Sequence, residues 1–373
     1  MVAVTDHPAL PRRVAIVTPI VHAGDAVGTD TVEMATELES RGVEVALFAE
    51  TVRGISRPSR PPPKALDFAV RDDDIVLYHF SYGWAGAEAL LSRARCRRVI
   101  KYHNVTPPAF FEPYSPAFTQ ACRAGRAAIA PLVGLGCERY IADSRFNLEE
   151  LVDAGLARER GGVVPPFNRI ERLIALQADL ALVDRGTARV GPTFLMVGRL
   201  APNKGHLQLL EALARYRRRF RPDASLVVVG KRDSRLSRYS ARIDERVAKL
   251  GLGDAVRFVE DASEAELKAA YLGADALVMA SEHEGFCVPL VEAMALGVPV
   301  VCGDRTALPE TAGHAAIVVD TRNPDMVADA LDHVVRDARL RGAMRELGRT
   351  RYEREFSSRA IGQRLVEELA ACA

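Results

Sequence analysis

Short apolar runs alternate with amphipathic stretches almost from one end of this chain to the other. Arg13–Ile20 (RVAIVTPI) reads as a buried strand, and Thr29–Arg41 as a helix with Val32, Ala35 and Leu38 on one face and acids on the other. Further strands read at Glu44–Ala49, Asp74–Phe80, Arg98–His103, Arg139–Ala142 and Gly162–Pro165. Helices read at Ala87–Arg95, Phe118–Val133 and Phe146–Ala154 between them. Strands that are continuously Val, Ile and Leu belong in parallel sheets covered on both faces. Crossovers in such sheets are right-handed, which leads to a doubly wound, Rossmann-like domain.

The rhythm breaks around Asp179–Pro192 and then starts again. The second set of strands reads at Thr193–Val197, Ser225–Val229, Val256–Val259, Ala276–Met279, Pro299–Cys302 and Ala315–Val319. A chain of 373 residues has room for two such domains. The reading is α/β, with Rossmann-like domains over residues 1–187 and 188–350 facing a central cleft. A final helix, 351–373, is expected to pack back towards the first domain. Ligands of open α/β sheets bind beyond the carboxyl ends of the strands, so two facing domains allow a donor on one and an acceptor on the other.

Other classes fall away. Lys and Arg number 50 against 49 Asp and Glu, a formal net charge of +1, whereas nucleic-acid binders carry a broad basic excess. No apolar run reaches the length of a spanning helix. The first residues, with an early Asp and two prolines leading into a strand, do not read as a signal peptide, so a cytoplasmic location is expected. Six scattered cysteines show no zinc spacing and read as reduced thiols. The basic stretch Arg339–Arg354 reads as a solvated helix face, with membrane or partner contact as its alternative. Asp72-Asp73-Asp74 reads as a solvated turn rather than a metal site.

Two segments carry chemistry. In Ser281–Pro299 (SEHEGFCVPLVEAMALGVP), Glu284 precedes Gly285 in the loop after a strand, and Glu292 lies one turn into the next helix. Pro289 opens that helix where a missing N–H costs nothing. Backbone N–H groups around Phe286–Val288 then face outward at a helix N-terminus, an anion site suited to a diphosphate. Carboxylates beside it can accept hydrogen bonds from sugar and ribose hydroxyls. In Val197–Leu207 (VGRLAPNKGHL), Arg199 and Lys204 supply cations in a strand-to-helix loop, Arg as a fork and Lys as a point charge. No GxxxxGK[ST] loop is present there.

Together GRLAPNKG and EHEGFCVPLVEAMALGVPVV resemble the donor half of a family 4 glycosyltransferase of the GT-B fold (glycosyl transferases group 1), whose members are retaining and use nucleotide sugars. Glu284 and Glu292 match its E-x7-E spacing. The resemblance covers the second domain and, more weakly, the first. It implies that Arg199 and Lys204 neutralise the donor diphosphate, that Glu284 holds the transferred sugar and that Glu292 holds the ribose. Phe286, Cys287 and Val288 bring backbone to the phosphates. Gly198 and Gly230 end strands beside the nucleotide, and Phe258 lies near the base. His103 matches the family's active-site histidine, with a capping or packing role as the other reading, and His79 is a neighbouring candidate. Ser144 caps a helix and faces the cleft. Gly28 is the best match in a loop, HAGDAVGTD, that lacks the family's adjacent glycines. Cys287 stands where the family has a small residue and reads as a free buried thiol.

The resemblance implies no metal and no cofactor beyond the nucleoside diphosphate sugar. The partners expected are that donor and a saccharide or polyprenyl-linked acceptor, with transfer of a hexose in bacterial cell-surface polysaccharide biosynthesis. A peripheral contact at the inner face of the cell membrane fits the same reading. The aromatic, proline-rich segment Asn104–Pro116 either recognises the acceptor or closes over the core. A nucleotide-sugar epimerase of the same fold and a non-catalytic nucleotide-binding homologue are the alternatives.

Overall fold

The computed structural model describes residues 10–179 and 191–372. The boundary expected at 187/188 falls outside them. Two compact units emerge. One gathers residues 10–105, 121–169 and 358–372, and the other 106–120, 170–179 and 191–357.

The first unit is built on a seven-stranded parallel sheet: β1 (Arg13–His22), β2 (Glu44–Arg53), β3 (Ser59–Arg60), β4 (Ile75–Phe80), β5 (Arg97–Tyr102), β6 (Arg139–Ala142) and β7 (Gly161–Val163). The spatial order is β3-β2-β1-β4-β5-β6-β7. Alternate residues of the same strand feed opposite cores. Val14, Ile16, Ile75 and Leu77 lie on one face with Met34, Leu38, Ile361 and Leu365. Ala15, Val17, Val76, Tyr78 and Phe80 lie on the other with Ile100 and Tyr102. Burial on both faces is why these strands read as unbroken apolar runs. The helix Ser358–Ala370 belongs to this unit, and its Glu368 pairs with Arg139 on β6 at 2.6 Å.

The second unit carries a six-stranded parallel sheet: β8 (Thr193–Val197), β9 (Ser225–Val229), β10 (Val256–Val259), β11 (Ala276–Met279), β12 (Val300–Gly303) and β13 (Ala316–Val319), in the order β10-β9-β8-β11-β12-β13. Its helices start on side-chain caps. Ser263 and Glu266 form a reciprocal capping box, and Asn323 and Asp337 cap the helices Pro324–Arg336 and Ala338–Arg351.

Three readings change. The single helix expected over Phe118–Val133 is two, Pro116–Ala127 and Ile129–Gly134. Pro131 lacks the N–H that would bond Ala127 and its ring crowds that carbonyl, so the first helix ends there. The basic stretch is only partly a solvated face. Arg341 donates to the carbonyls of Val334 and Val335, and Arg351 to those of Glu310 and Thr311 (2.7 and 2.9 Å), each closing a helix end that leaves carbonyls unpaired. In the Asp72–Asp74 turn, Asp74 is buried rather than solvated, and its Oδ2 accepts from the Val70 and Arg71 N–H groups.

Candidate active site

In each sheet the strand order reverses once, between β1 and β4 and between β8 and β11. Ligand sites of open α/β sheets form at such reversals, beyond the carboxyl ends of the strands. Both are lined by polar residues.

In the second unit the loop after β8 is stitched to the loop after β11. Gly205 has φ 73° and sits so close to the end of β11 that a Cβ would collide with the Ala280 carbonyl. Asn203, buried, accepts from the Glu282 N–H at 2.9 Å and donates its side-chain amide to the His283 carbonyl at 3.0 Å. This places Lys204 Nζ 2.7 and 2.8 Å from the two oxygens of Glu284. Ser281 Oγ donates to the same carboxylate at 2.8 Å, and the Glu284 N–H donates to Thr306 Oγ1 at 2.9 Å. The Glu284 side chain is 8% exposed and that of Lys204 19%. Arg199 is exposed, and its charge is felt by Asp233 without a hydrogen bond or salt bridge among the described residues. A held carboxylate, a cation that can change partners and a free guanidinium are what a sugar diphosphate requires.

The helix Val288–Ala295 begins in this cluster. Its cap, Cys287, has φ 83°, a conformation that costs a side-chain-bearing residue of order 1–3 kcal/mol. Thr306, on the Glu284 N–H, has φ 52°. Such strain collects at functional sites. Burial pushes the Cys287 thiol well above its ordinary value, so it stays protonated. Glu292 is half-buried, and Tyr271 OH donates to its Oε2 at 2.5 Å. Burial raises the Glu292 carboxyl against that bond. The Phe286 ring packs into a core with Phe356, and its carbonyl accepts from Thr311 Oγ1 at 2.7 Å. Gly285 is half-buried between Glu284 and Phe286. Gly230, ending β9, abuts the Gly198 carbonyl with no space for a Cβ. The half-buried Phe258 ring lies beside Leu226, Val228 and Ile243, under the Arg232 guanidinium at 4.9 Å.

The aromatic segment groups with this same unit. Tyr114 OH accepts from Arg242 at 2.9 Å and its ring meets Tyr239 edge-on at 5.1 Å. Phe110 lies 6.1 Å from the His283 ring, beside the Glu284 loop. Phe111 is buried and stacks on Phe118, whereas Phe110 and Tyr114 stay half-exposed. Phe111 thus closes over the fold, the second of the two expected roles.

In the first unit His103 follows β5, and its N–H extends the ladder to the Phe80 carbonyl. Its ring is only 3% exposed and both nitrogens are engaged. Nδ1 lies 3.1 Å from Asp143 Oδ2, and Nε2 lies 2.8 Å from His79 Nδ1. Lys101, fully buried, donates to Asp143 Oδ1 and to the Val164 carbonyl, both at 2.5 Å. Asp30, on the helix Ala26–Ser40, accepts from the Phe167 N–H at 2.6 Å through Oδ1. Its Oδ2 approaches both histidines. Burial pushes the Asp30 carboxyl up to about 6 and holds His79 well below its ordinary value. Burial also opposes the Asp143 charge, but Lys101 and His103 keep that carboxyl below the usual range. The ring of His103 is therefore a packed, hydrogen-bonded group, and a sugar could meet Nε2 only if His79 gave way. Ser144 caps the helix Arg145–Asp153, accepting from the Asn147 N–H at 3.2 Å. Gly28 lies against the His22 carbonyl at the start of its helix, where a Cβ would collide, so helix–strand packing requires the glycine.

Sequence reasoning passed over Asp30, Lys101, Asp143 and Tyr271. One signal was present: a Lys inside the apolar run RVIKYH demands a buried counter-charge.

Residues 186–351 match the family model of glycosyl transferases group 1. The chain is similar to a D-inositol 3-phosphate glycosyltransferase from Frankia alni, 34% identical over 211 residues, 54% of this chain and 51% of that protein. It is also similar to a GDP-mannose-dependent alpha-(1-6)-phosphatidylinositol monomannoside mannosyltransferase from Mycolicibacterium smegmatis, 32% identical over 188 residues, 48% of each. The chain spans about half the length of the curated relatives it matches. Among solved structures, Anabaena HepE in complex with UDP and glucose superposes with a TM-score of 0.73 at 17% identity, over 95% of this chain and 98% of that one. The lipopolysaccharide glycosyltransferase WaaG gives 0.69 at 15% identity, with 95% and 98% covered. Residues 186–351 thus carry the likeness to glycosyl transferases group 1, and the two parallel-sheet units have the GT-B fold.

Proposed function

We propose that the chain is a retaining glycosyltransferase that moves a hexose from a nucleoside diphosphate sugar to a hydroxyl of a saccharide or lipid-linked acceptor. The observation that carries this is the Lys204–Glu284 pair at the β8/β11 reversal, with Arg199 exposed in the same loop. An incoming diphosphate draws Lys204 off the carboxylate and takes Arg199 as a second cation. Glu284, still held by Ser281, then accepts hydrogen bonds from the sugar hydroxyls. Two side-chain cations do the work for which other transferases recruit a divalent ion, so donor binding needs no metal.

The chemistry is a front-face displacement. The acceptor oxygen bonds to the anomeric carbon on the side from which the diphosphate leaves, the carbon–oxygen bond to phosphate breaks, and the acceptor proton passes to the leaving phosphate oxygen. Lys204 and Arg199 stabilise the charge that grows there. Phe110, near His283, and Tyr114, against Tyr239, are half-exposed and form the acceptor-side surface of this unit. The relatives named above act on inositol phosphate and on a phosphatidylinositol mannoside, which favours a phosphorylated or lipid-linked polyol or saccharide. Work on cell-surface polysaccharide in the cytoplasm, at the inner membrane face, fits that chemistry. No helix among the described residues is long and apolar enough to cross a membrane.

The test has two stages. UDP, GDP and ADP are screened for a rise in Tm, since a ligand that binds only the folded state stabilises it by mass action. The hexose esters of the stabilising nucleotide are then incubated with phosphorylated polyols and polyprenyl-linked saccharides, and product configuration is read by NMR. A product with the donor's anomeric configuration is expected. An inverted product, or no stabilisation by any nucleoside diphosphate, contradicts the proposal.

A further inference from the structure

Among the described residues, four that carry side chains hold a left-handed backbone: Asn104, Asp261, Cys287 and Thr306, with φ of 68°, 54°, 83° and 52°. Asparagine and aspartate tolerate it through a short polar side chain. Cysteine has no such help, and for a β-branched threonine the conformation is a genuine outlier. The two costly residues both stand beside Glu284. Cys287 follows it in the same loop, and Thr306 reaches it from the loop between β12 and the helix Leu308–Ala312. A strained backbone persists only where its surroundings over-determine it.

At Thr306 the hydroxyl supplies the reason. Its Oγ1 accepts from the Glu284 N–H at 2.9 Å, and no other acceptor takes that N–H among the described residues. The next residue, Ala307, turns its own N–H to the Glu284 carbonyl at 3.4 Å. Glu284 is therefore held twice over. Lys204 and Ser281 hold its carboxylate, and the loop after β12 holds its backbone. When a diphosphate draws Lys204 away, the carboxylate keeps Ser281 on one oxygen and the Thr306 bond at the root of its side chain. Without that bond a nearly buried residue has an unpaired N–H, and its peptide is free to turn.

We propose that Thr306 is a positioning residue for Glu284, fixing the carboxylate that meets the sugar of the donor. The proposal rests on the donor-site reading above and deepens it. Thr306 acts through Glu284 rather than on the donor itself. Binding of the bare diphosphate depends on Lys204 and Arg199, so it is indifferent to Thr306, whereas handling of the sugar is not. Stability and function then prefer different residues at this position. Glycine suits the left-handed backbone, and a hydroxyl suits the site.

The full chain is compared with Thr306→Ser, Thr306→Ala and Thr306→Gly. Three quantities are read: Tm, the Kd of whichever of UDP, GDP and ADP binds the parent, and turnover of that nucleotide's hexose esters, followed as release of nucleotide. Thr306→Ala should lower turnover about tenfold, the scale of one hydrogen bond, with the nucleotide Kd unchanged. Thr306→Ser keeps the oxygen and should recover turnover to within about twofold of the parent. Thr306→Gly loses the oxygen but relaxes the backbone, so it should melt above Thr306→Ala yet turn over no faster. A merely structural role would make turnover follow Tm. Should Thr306→Ala not fold, Thr306→Gly against Thr306→Ser makes the same comparison. Hydrogen exchange at the Glu284 N–H needs no ligand. It should quicken about tenfold in Thr306→Ala and Thr306→Gly and stay slow in Thr306→Ser. A parent that binds no nucleoside diphosphate sinks the transferase reading, and the exchange rates alone then decide whether Thr306 anchors Glu284. Exchange as slow in Thr306→Gly as in the parent, or parental turnover in Thr306→Gly, overturns the proposal.

Discussion

Each unit places charged residues at the point where its strand order reverses, but the two clusters are built for opposite ends. In the second unit Lys204 is partly exposed, Glu284 has one edge near solvent, and Arg199 is unpaired. These charges are held in place yet free to change partners. In the first unit Lys101, Asp30 and His79 are fully buried, and Asp143 and His103 nearly so. Charges taken that far from water need fixed partners, because desolvation costs several kcal/mol per ion and only good geometry offsets it. The second cluster can therefore receive a substrate, whereas the first acts as a rigid base beneath the end of β5. The difference also separates what each should do when mutated: one loses function, the other loses stability.

The largest expected effect tests the closed cluster. Lys101→Met leaves Asp143 buried without its cation and should cost about 3–5 kcal/mol in urea unfolding. A loss below 1 kcal/mol would show that water reaches the cluster. Next is the open cluster. Lys204→Ala or Glu284→Ala should lower kcat for transfer about 100–1000-fold, the loss seen when one stabilising donor is removed, with the unfolding midpoint nearly unchanged. Gly205→Ala should destabilise the second unit by about 1–3 kcal/mol, because φ 73° and the Ala280 carbonyl both exclude a Cβ. An unchanged midpoint would mean the loop is not clamped on β11. The effect that is smallest at neutral pH, and grows only on acidification, concerns His206, buried in the second unit, where burial and then Lys204 lower its pKa to about 3. The folded chain refuses a proton that the unfolded chain takes up, so stability falls as pH drops from about 6.5 towards 3. The slope is at most about 1.4 kcal/mol per pH unit. His206→Gln should flatten that part of the stability–pH curve, and an unchanged slope would contradict the assignment.

The strands and their parallel grouping were legible because burial on both faces leaves an unbroken apolar run. The two-residue strand β3, pinned between Pro58 and Pro61, was too short to show any pattern. In the second unit the polar site was legible as well. Its residues arrive in two contiguous loops, and each loop carries its own turn chemistry, Asn203-Lys204-Gly205 and Glu284-Gly285. The first unit's cluster was not. Asp30 comes from a helix, His79 and Lys101 from two strands, and Asp143 from the turn after a third, and only the sheet brings them together. Tyr271 was invisible for the same reason: nothing near it in sequence announces a bond to Glu292, 21 residues on. His103 was picked out, but its commitment to Asp143 and His79 emerges only from their three-dimensional placement.

The central claim is that a nucleoside diphosphate binds at the Lys204–Glu284 cluster of the second unit. Calorimetric titration of the full chain with UDP and GDP, beside Lys204→Ala and Arg199→Ala, tests it most directly. The account predicts that one nucleotide binds the parent at a single site and that each substitution weakens it at least tenfold, more than about 1.4 kcal/mol. Equal affinity in all three proteins would place the diphosphate elsewhere and contradict the account.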